Sequence, residues 1–368
     1  MKDIDRIPGK SENDDMVLRS HGMQKKTKKR IAYIDVAKGL LILSVVLHHN
    51  ILSSYSMSYN QNEMTAFLQE FQYYLWIPFF MPAFFVLTGY SSNFDKPFKP
   101  FMSSLIMTIG CPLFFFDIIP YNIETFQKVS LSEWLAQVPL TLLRFFRYSF
   151  WFLRVFFVAK LLYWLINKYG KEMVRNVVCF LLFIFACIVV LLGYGEHGMH
   201  SLMALFYISV GKQCRQYKAF EDFKIGNIAV LLYIAITMVL FLLHRQSPYM
   251  TNEIVMSDAW DIFILPLLAI SGSIGIISLA KRINKNKILE YIGKYSLVIY
   301  CVHMLPYLGR IYKMMLDDIG IQINLTNSDC ATTLLYMSSL FIYTVCVCCI
   351  IAFIIDRPYL RIMMGKRP

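Results

Sequence analysis

The chain is organised around Asp35-Val-Ala-Lys38-Gly39-Leu-Leu-Ile-Leu-Ser-Val-Val-Leu-His48-His49, which carries an acid, a base and two imidazoles within a largely apolar segment. The surrounding run, residues 31–53, is long enough to cross a bilayer. A charged side chain in the hydrocarbon core costs about 3 kcal/mol or more, so such groups usually face a bundle interior or a water-filled cavity. This stretch therefore predicts a membrane helix that carries functional residues.

The spacing within this helix indicates which residues work together. Lys38 and His49 are eleven positions apart, close to three helical turns, so they share a face with roughly 16 Å between their levels. His48 points elsewhere, about 80–100° around the helix. Asp35 lies one turn before Lys38, close enough to pair with it. We therefore expect an ion-paired end and, farther along the same face, an imidazole.

The composition predicts an all-α polytopic membrane bundle. Of 368 residues, 57% are hydrophobic, 15% aromatic and only 16% charged, which excludes an ordinary soluble enzyme. The net charge of +12 lies in short basic blocks between apolar segments, as the positive-inside rule places them, so nucleic acid is not expected as a partner.

About ten apolar segments predict about ten transmembrane helices. The segment 200–214 is short for a span, so a tilted, broken or re-entrant segment is the alternative there. The ten segments are 31–53, 74–92, 101–119, 148–166, 174–193, 200–214, 226–243, 259–280, 288–308 and 333–355.

Basic residues in the connecting loops predict which side of the membrane each loop faces. With the amino terminus in the cytoplasm, the inside loops hold most of the lysines and arginines. Both termini are then cytoplasmic. The inside set is Lys96, Lys99, Lys168, Lys171, Arg175, Lys212, Arg215, Lys218, Lys224, Lys281, Arg282, Lys285 and Lys287.

The polar ends of the chain flank one membrane domain. Residues 1–29 are too polar and charged to fold alone and predict a disordered, basic cytoplasmic tail. Residues 30–358 form the expected transmembrane domain, and 359–368 a second basic cytoplasmic tail. On the outer side, 131–146 predicts an interfacial amphipathic helix, with a lid that contacts no substrate as the alternative.

Four segments resemble, in order, those of the acyltransferase-3 family of integral membrane O-acyltransferases. The match in the first helix is Asp35, Lys38, Gly39 and His49, an Asp-x-x-(Arg/Lys)-Gly pattern followed by His. The ninth segment matches an Ile-Gly-x-x-Ser-x-x-x-Tyr-x-x-His pattern, and two others give weaker support. Those three segments are Ile292–His303, the stretch from Pro82 to Gly89, in which Thr88 replaces the commoner Ser, and Trp151-Phe152-Leu153.

The resemblance implies a reaction and its partners. It implies acyl-CoA, expected as acetyl-CoA, as a co-substrate offered from the cytoplasm, with no permanently bound cofactor. The acceptor is expected to be a hydroxyl of a glycan, a glycolipid or a similar molecule in or beyond the lipid bilayer. The expected location is a bacterial inner membrane.

Catalytic roles are expected for His49, Asp35 and Lys38. His49 is the general base that takes the proton from an acceptor hydroxyl, and an acyl-imidazole intermediate is the alternative. Lys38, near the cytoplasmic end, is the electrostatic contact for the donor.

Further binding residues are expected on the fourth and ninth segments. Arg154 lies in the outer half of the membrane, with snorkelling to the interface as the alternative role. Lys160 lies deeper and is expected either to pair with an interior acid or to contact an anionic cofactor. Ser296, Tyr300 and His303 share one helix face, although His303 could be a packing residue. The complete set is Lys38, Trp151, Arg154, Lys160, Ser296, Tyr300 and His303.

Other chemistry finds little support in the sequence. The nine cysteines show no zinc or thioredoxin spacing, and no metal site is expected. A proton-coupled transporter or glycan flippase remains the alternative function, because it would also place Asp, Lys, Arg and His within membrane helices.

Overall fold

A computed structural model describes residues 31–58, 61–143, 150–194, 196–305 and 308–366. The chain divides into two units, Met1–Ile31 and Ala32–Pro368. Of the first unit only Ile31 is described, so the predicted tail lies outside the described residues. In its described residues the second unit is a helical bundle with one short β hairpin.

Short connections in the sequence join most of the helices of this unit. They are α1 (Ala32–Met57), α2 (Glu63–Leu75), α3 (Ile77–Ser91), α4 (Phe98–Thr125), α5 (Leu131–Leu143), α6 (Trp151–Tyr169), α7 (Glu172–Leu191), α8 (Glu196–Gln216), α9 (Phe223–Leu242), α10 (Asp261–Ile283), α11 (Lys287–Lys294), α12 (Ser296–His303), α13 (Leu308–Asp318) and α14 (Cys330–Ile355). Strands β1 (Tyr249–Met250) and β2 (Ile254–Val255) pair antiparallel between α9 and α10.

The all-α membrane bundle is confirmed, but the predicted count of about ten spans is not. Within the described residues six helices, α1, α4, α7, α9, α10 and α14, are long and apolar enough to cross a bilayer. A seventh span results if α2 and α3, which meet at a bend of 43°, cross as one unit.

Three predicted spans fall on helices outside this set, and packing explains one of them, α8. The segments 148–166 and 200–214 correspond to α6 and α8. In α8 the side chains of Tyr207 and Ile208 are fully buried. A helix enclosed by other helices does not face lipid, so it need not be apolar all round. The third segment, 288–308, is divided between the short helices α11 and α12, with a break at Tyr295.

Helix α1 packs backbone to backbone against α11. A Cβ atom added to Gly293 would overlap the carbonyl of Asp35, and one added to Gly39 would overlap that of Leu289. Glycine therefore permits this close approach, as small residues commonly do between membrane helices. The contact fixes α11, and the α12 helix that follows it, alongside the central helix.

Helix α4 contains two π-helical segments, Ile106–Gly110 and Phe114–Ile118. Pro112 lies between them and lacks the N–H that a regular helix would use, which favours such irregular turns. The second segment carries the buried Asp117. Segments of this kind are frequent at functional sites.

The end of the described chain is tied to the break between α11 and α12. Asp356 accepts a hydrogen bond from Tyr295 and forms ion pairs with Lys294 at 3.1 Å, Arg361 at 3.1 Å and Lys366 at 3.3 Å. Part of the predicted carboxyl-terminal tail, up to Lys366, thus returns to the bundle. The predicted helix over 131–146 is observed as α5, and residues 144–146 lie outside the described residues.

Candidate active site

A cavity of about 480 Å³ lies where α1, α2, α3, α6 and α12 meet beneath the hairpin. Aromatic and imidazole side chains form much of its wall, including His48, His49, Tyr73, Trp151 and Tyr300. Its rim contains Thr251, Asn252 and Glu253 from the hairpin. The cavity therefore combines aromatic surfaces with a polar rim, which is the usual composition of a small-molecule site.

Three imidazoles form a row at this cavity. The ring centroids of His48 and His49 are 5.0 Å apart, and those of His49 and His303 are 5.1 Å apart. His303 comes from α12, which the glycine contact holds beside α1. His49 is the central ring of the three, and it opens to the cavity.

The backbone fixes the orientation of His303. Its Nδ1 atom lies 3.0 Å from the carbonyl oxygen of Ile299 and must donate to it, because a carbonyl only accepts. In the neutral ring Nε2 then carries a lone pair. This atom is buried and has no hydrogen-bond partner among the described residues. A buried acceptor nitrogen therefore lies beside His49.

His48 is fixed by a chain of side-chain amides. Its Nδ1 lies 2.9 Å from Oε1 of Gln72, whose Nε2 donates to Gln69 Oε1 at 2.7 Å, and Gln69 Nε2 donates to the Tyr73 hydroxyl at 2.9 Å. His48 is thus held toward α2 by Gln72. The ring nevertheless borders the cavity.

Arg154 forms a buried ion pair with Asp117. The distance from NH2 to Oδ2 is 3.0 Å, and the two side chains are only 9% and 7% exposed. Burial excludes the snorkelling alternative for Arg154. The sequence interpretation missed Asp117, although an aspartate within the apolar segment 101–119 was the available signal.

Three lysines form a cationic cluster near the start of α1. Lys160 lies over the Phe156 ring at 5.4 Å, and the positive charges of Lys38 and Lys96 act on its ammonium group. Among the described residues no carboxylate forms a salt bridge with Lys160, so pairing with an interior acid is not observed. Lys96, assigned by its sequence position only to an inside loop, is held near α6 because the Trp164 indole donates to its carbonyl at 2.8 Å.

The predicted residues divide between two places. His49, Trp151 and Tyr300 line the cavity, and His303 contacts His49 from behind. Asp35 is buried near the start of α1, where Lys38 also lies. Ser296 is not among the side chains of the cavity wall, and its role stays a prediction.

The hairpin contributes site residues that the sequence interpretation missed. Tyr249 stacks on Tyr73 with ring centroids 4.9 Å apart, and His200 Nε2 lies 3.0 Å from the carbonyl oxygen of Thr251. The strands are two residues long and lie between apolar spans, so no periodic pattern distinguished them from a loop. Their position over the cavity depends on tertiary contacts.

These features define an integral membrane protein with a polar site enclosed by its helices. The family model of the acyltransferase-3 acyltransferase domain matches residues 31–353, nearly the whole chain. The chain belongs to this family and is a membrane acyltransferase. This assignment gives no support to the transporter alternative. No curated protein and no solved structure matches the chain.

Proposed function

We propose that the protein transfers an acyl group, expected to be acetyl, from acyl-CoA to a hydroxyl of a glycan or glycolipid. The observation that carries this proposal is the position of His49, which opens to the cavity and lies between two imidazoles of fixed orientation. A neutral imidazole held in this way is suited to accept a proton from a bound hydroxyl.

The proposed reaction begins at one ring nitrogen of His49. This nitrogen takes the proton from the acceptor hydroxyl while the oxygen attacks the thioester carbonyl carbon. The carbon–sulfur bond breaks, and the proton held by His49 passes to the departing thiolate of coenzyme A. Attack by His49 itself, giving an acyl-imidazole intermediate, is the alternative order of the same transfer.

His303 is proposed to orient His49. Its Nε2 atom is an acceptor beside the His49 ring, so a small rotation of His49 would bring one N–H to it. The other nitrogen of His49 would then carry the lone pair that faces the acceptor. A second group that fixes the tautomer of a histidine base is common in acyl-transfer sites.

The lysine cluster is proposed to bind the phosphates of the donor. The charges of Lys38 and Lys96 both act unfavourably on the ammonium group of Lys160, and an anionic ligand would relieve that repulsion. Because Lys38 and His49 are separated by roughly 16 Å along one helix face, the pantetheine arm is proposed to follow this face toward the cavity. Asp35, one turn from Lys38, is proposed to hold the lysine in place.

The cavity rim is proposed to recognise the acceptor. Trp151, Tyr73 and Tyr249 offer apolar ring faces, while Thr251 and Asn252 offer hydroxyl and amide groups. Such a combination suits a sugar, which presents both C–H faces and hydroxyls. Tyr300, which lines the cavity, and Arg154, on the same helix as Trp151, are proposed to support this wall.

The proposed sidedness follows from the loop charges. Both termini and the lysine cluster face the cytoplasm, and the hairpin faces the outside of a bacterial inner membrane. Single cysteines placed in 54–73 should react with an impermeant reagent added outside, whereas those in 281–287 should not. If 281–287 were labelled from outside and 54–73 were not, the proposed membrane sides of the donor and the acceptor would have to be exchanged.

Transfer by membranes containing the protein tests the proposed activity. Membranes are incubated with acetyl-CoA labelled in the acetyl group, and label is measured in the lipid and glycan fractions. The full chain should incorporate label, and His49→Ala at equal abundance should not. Equal incorporation by both proteins, or none by either with every acyl-CoA offered, would contradict the proposal.

A further inference from the structure

A second cavity, an apolar groove of about 660 Å³, lies between α9 and α10 and extends to Leu75 and Phe79. Its lining includes Val230, Ile276 and Leu279. Three glycines of the lining, Gly226, Gly272 and Gly275, are packed against the side chains of Ser278, Phe79 and Val230. Val230 and Leu279 are 40% and 48% exposed, so the groove opens to the surface. On membrane helices that surface faces lipid, and we call this cavity the α9–α10 groove.

The length of the groove matches one leaflet. Its lining on α10 extends from Ser271 to Arg282, which is roughly 16 Å along the helix axis at 1.5 Å per residue. The hydrocarbon core of a bilayer is about 30 Å thick, so this is about half of it. An acyl chain that starts at the headgroup level would therefore end near the far end of the groove.

One end of the groove is cationic. Arg282 lines it and is held by Asn227 Oδ1, and Lys281 precedes it on the last turn of α10. Both charges lie over the Phe223 ring, at 4.9 Å for Lys281 Nζ and 5.7 Å for Arg282 Cζ. The groove thus presents positive charge at the headgroup level and an apolar surface below it.

Ser278 shows how closely α9 and α10 pack beside the groove. Ser278 lines the groove and is only 3% exposed, and its hydroxyl points across to Gly226, where a Cβ atom would overlap it. This hydroxyl has no hydrogen-bond partner among the described residues. The hydroxyl therefore belongs to the packing of α10 against α9 beside the groove.

We propose that the α9–α10 groove binds one anionic phospholipid. Its phosphate would contact Arg282 and Lys281, and one acyl chain would lie against Val230, Ile276 and Leu279. Charge complementarity selects an anionic over a zwitterionic lipid, because each basic residue near a membrane surface contributes about 1 kcal/mol toward anionic lipid. This binding site is separate from the proposed acyl transfer and does not depend on it.

Native mass spectrometry of the full chain tests this proposal. The detergent-purified, delipidated protein is titrated with phosphatidylglycerol or with phosphatidylcholine carrying the same acyl chains. We expect one phosphatidylglycerol molecule to bind tightly and phosphatidylcholine to bind with lower affinity. Arg282→Gln should weaken the phosphatidylglycerol affinity roughly fivefold, and adding Lys281→Gln should weaken it by a similar factor again. Lys285→Gln, whose charge lies outside the groove lining, is the matched charge control.

Filling the groove gives the second test. Leu279→Trp places a large ring in it and should abolish tight binding, whereas Leu267→Trp should not. Leu267 is on the same helix and equally exposed at 48%, but it does not line the groove. The bound lipid should also raise the unfolding temperature of the wild type and not that of Leu279→Trp. Equal affinities for both lipids, equal losses in the two tryptophan variants, or tighter retention of a polyisoprenyl phosphate than of phosphatidylglycerol would overturn the proposal.

Discussion

The rings of His49 and His303 lie 5.1 Å apart, although the two residues come from opposite ends of the chain. The contact depends on Gly39 and Gly293, which let α1 and α11 approach through their backbones. The Ile299 carbonyl then turns His303 so that its acceptor nitrogen is buried beside His49. The two strongest sequence motifs therefore meet in one place.

Replacing His49 with Ala should abolish acyl transfer at any donor concentration. A general base commonly contributes a factor of about 10²–10⁴, and a nucleophile more. Donor binding, measured by isothermal titration with coenzyme A, should survive. His48→Ala is the control, because its Nδ1 is already engaged by Gln72, and it should keep most of the activity. If His48→Ala were inactive and His49→Ala active, the base would be His48 and not His49.

Replacing Lys38 with Ala should raise the KM for the donor more than it lowers kcat. Lys38 lies about three turns from His49, so its charge acts on affinity and not on the reacting atoms. Lys160→Met should act in the same way, because both charges belong to the lysine cluster. Lys38→Arg keeps the charge and should be mild. A fall in kcat with an unchanged KM would place Lys38 in the chemical step.

Replacing His303 with Leu should lower kcat by roughly 10²-fold, the cost typical of a misplaced catalytic group. His303→Gln restores an acceptor oxygen near the position of Nε2 and should recover part of the loss at equal abundance. Tyr300→Phe and Ser296→Ala test the other two residues of this helix face, again by comparing activity with protein abundance. Loss of abundance in proportion to activity would show that these side chains only pack.

Removing one partner of the Arg154–Asp117 pair should destabilise the protein by about 3–5 kcal/mol, because a buried charge is left alone. Asp117→Leu combined with Arg154→Met removes both charges and should regain most of that stability. Thermal unfolding in detergent measures both effects. If the double variant is stable but inactive, Arg154 also serves the site, and if it is active the pair is only structural.

Asp356→Asn should loosen the carboxyl-terminal segment in a pH-dependent manner. Partial burial alone would raise the pKa of Asp356, but hydrogen bonds from Tyr295 and Lys294 and the charge of Lys366 lower it well below its usual range. A lowered pKa in the folded state stabilises the protein at pH values above the unfolded pKa, about 3.9, and that stability is lost as the pH falls toward the folded value.

The measurement for Asp356 is the difference in unfolding temperature between wild type and Asp356→Asn. It should be constant from about pH 5 to 8 and shrink below about pH 4. Glu70→Gln is a suitable control, because Glu70 is an exposed carboxylate on α2, away from this cluster. A difference that shrinks equally on the alkaline side would contradict this assignment.

Much of the architecture follows from local sequence. Apolar segments of membrane length predict helices because the backbone must satisfy its own hydrogen bonds in lipid. The order of the family-like segments and the spacing from Lys38 to His49 are also local, since a helix fixes which side chains share a face. These patterns predicted the family, which the comparison confirms.

Local hydropathy alone did not determine the number of membrane spans. Hydropathy reports what faces lipid, whereas α8 is largely enclosed by other helices and α11 and α12 are separated by a break. The sequence by itself therefore determined the membrane class, the principal helices and the residues of the first motif. Only the tertiary structure decided four contacts, because each joins residues distant in sequence through packing that no local period encodes. These are His49 with His303, Arg154 with Asp117, Lys96 with Lys160, and the hairpin with the cavity that it covers.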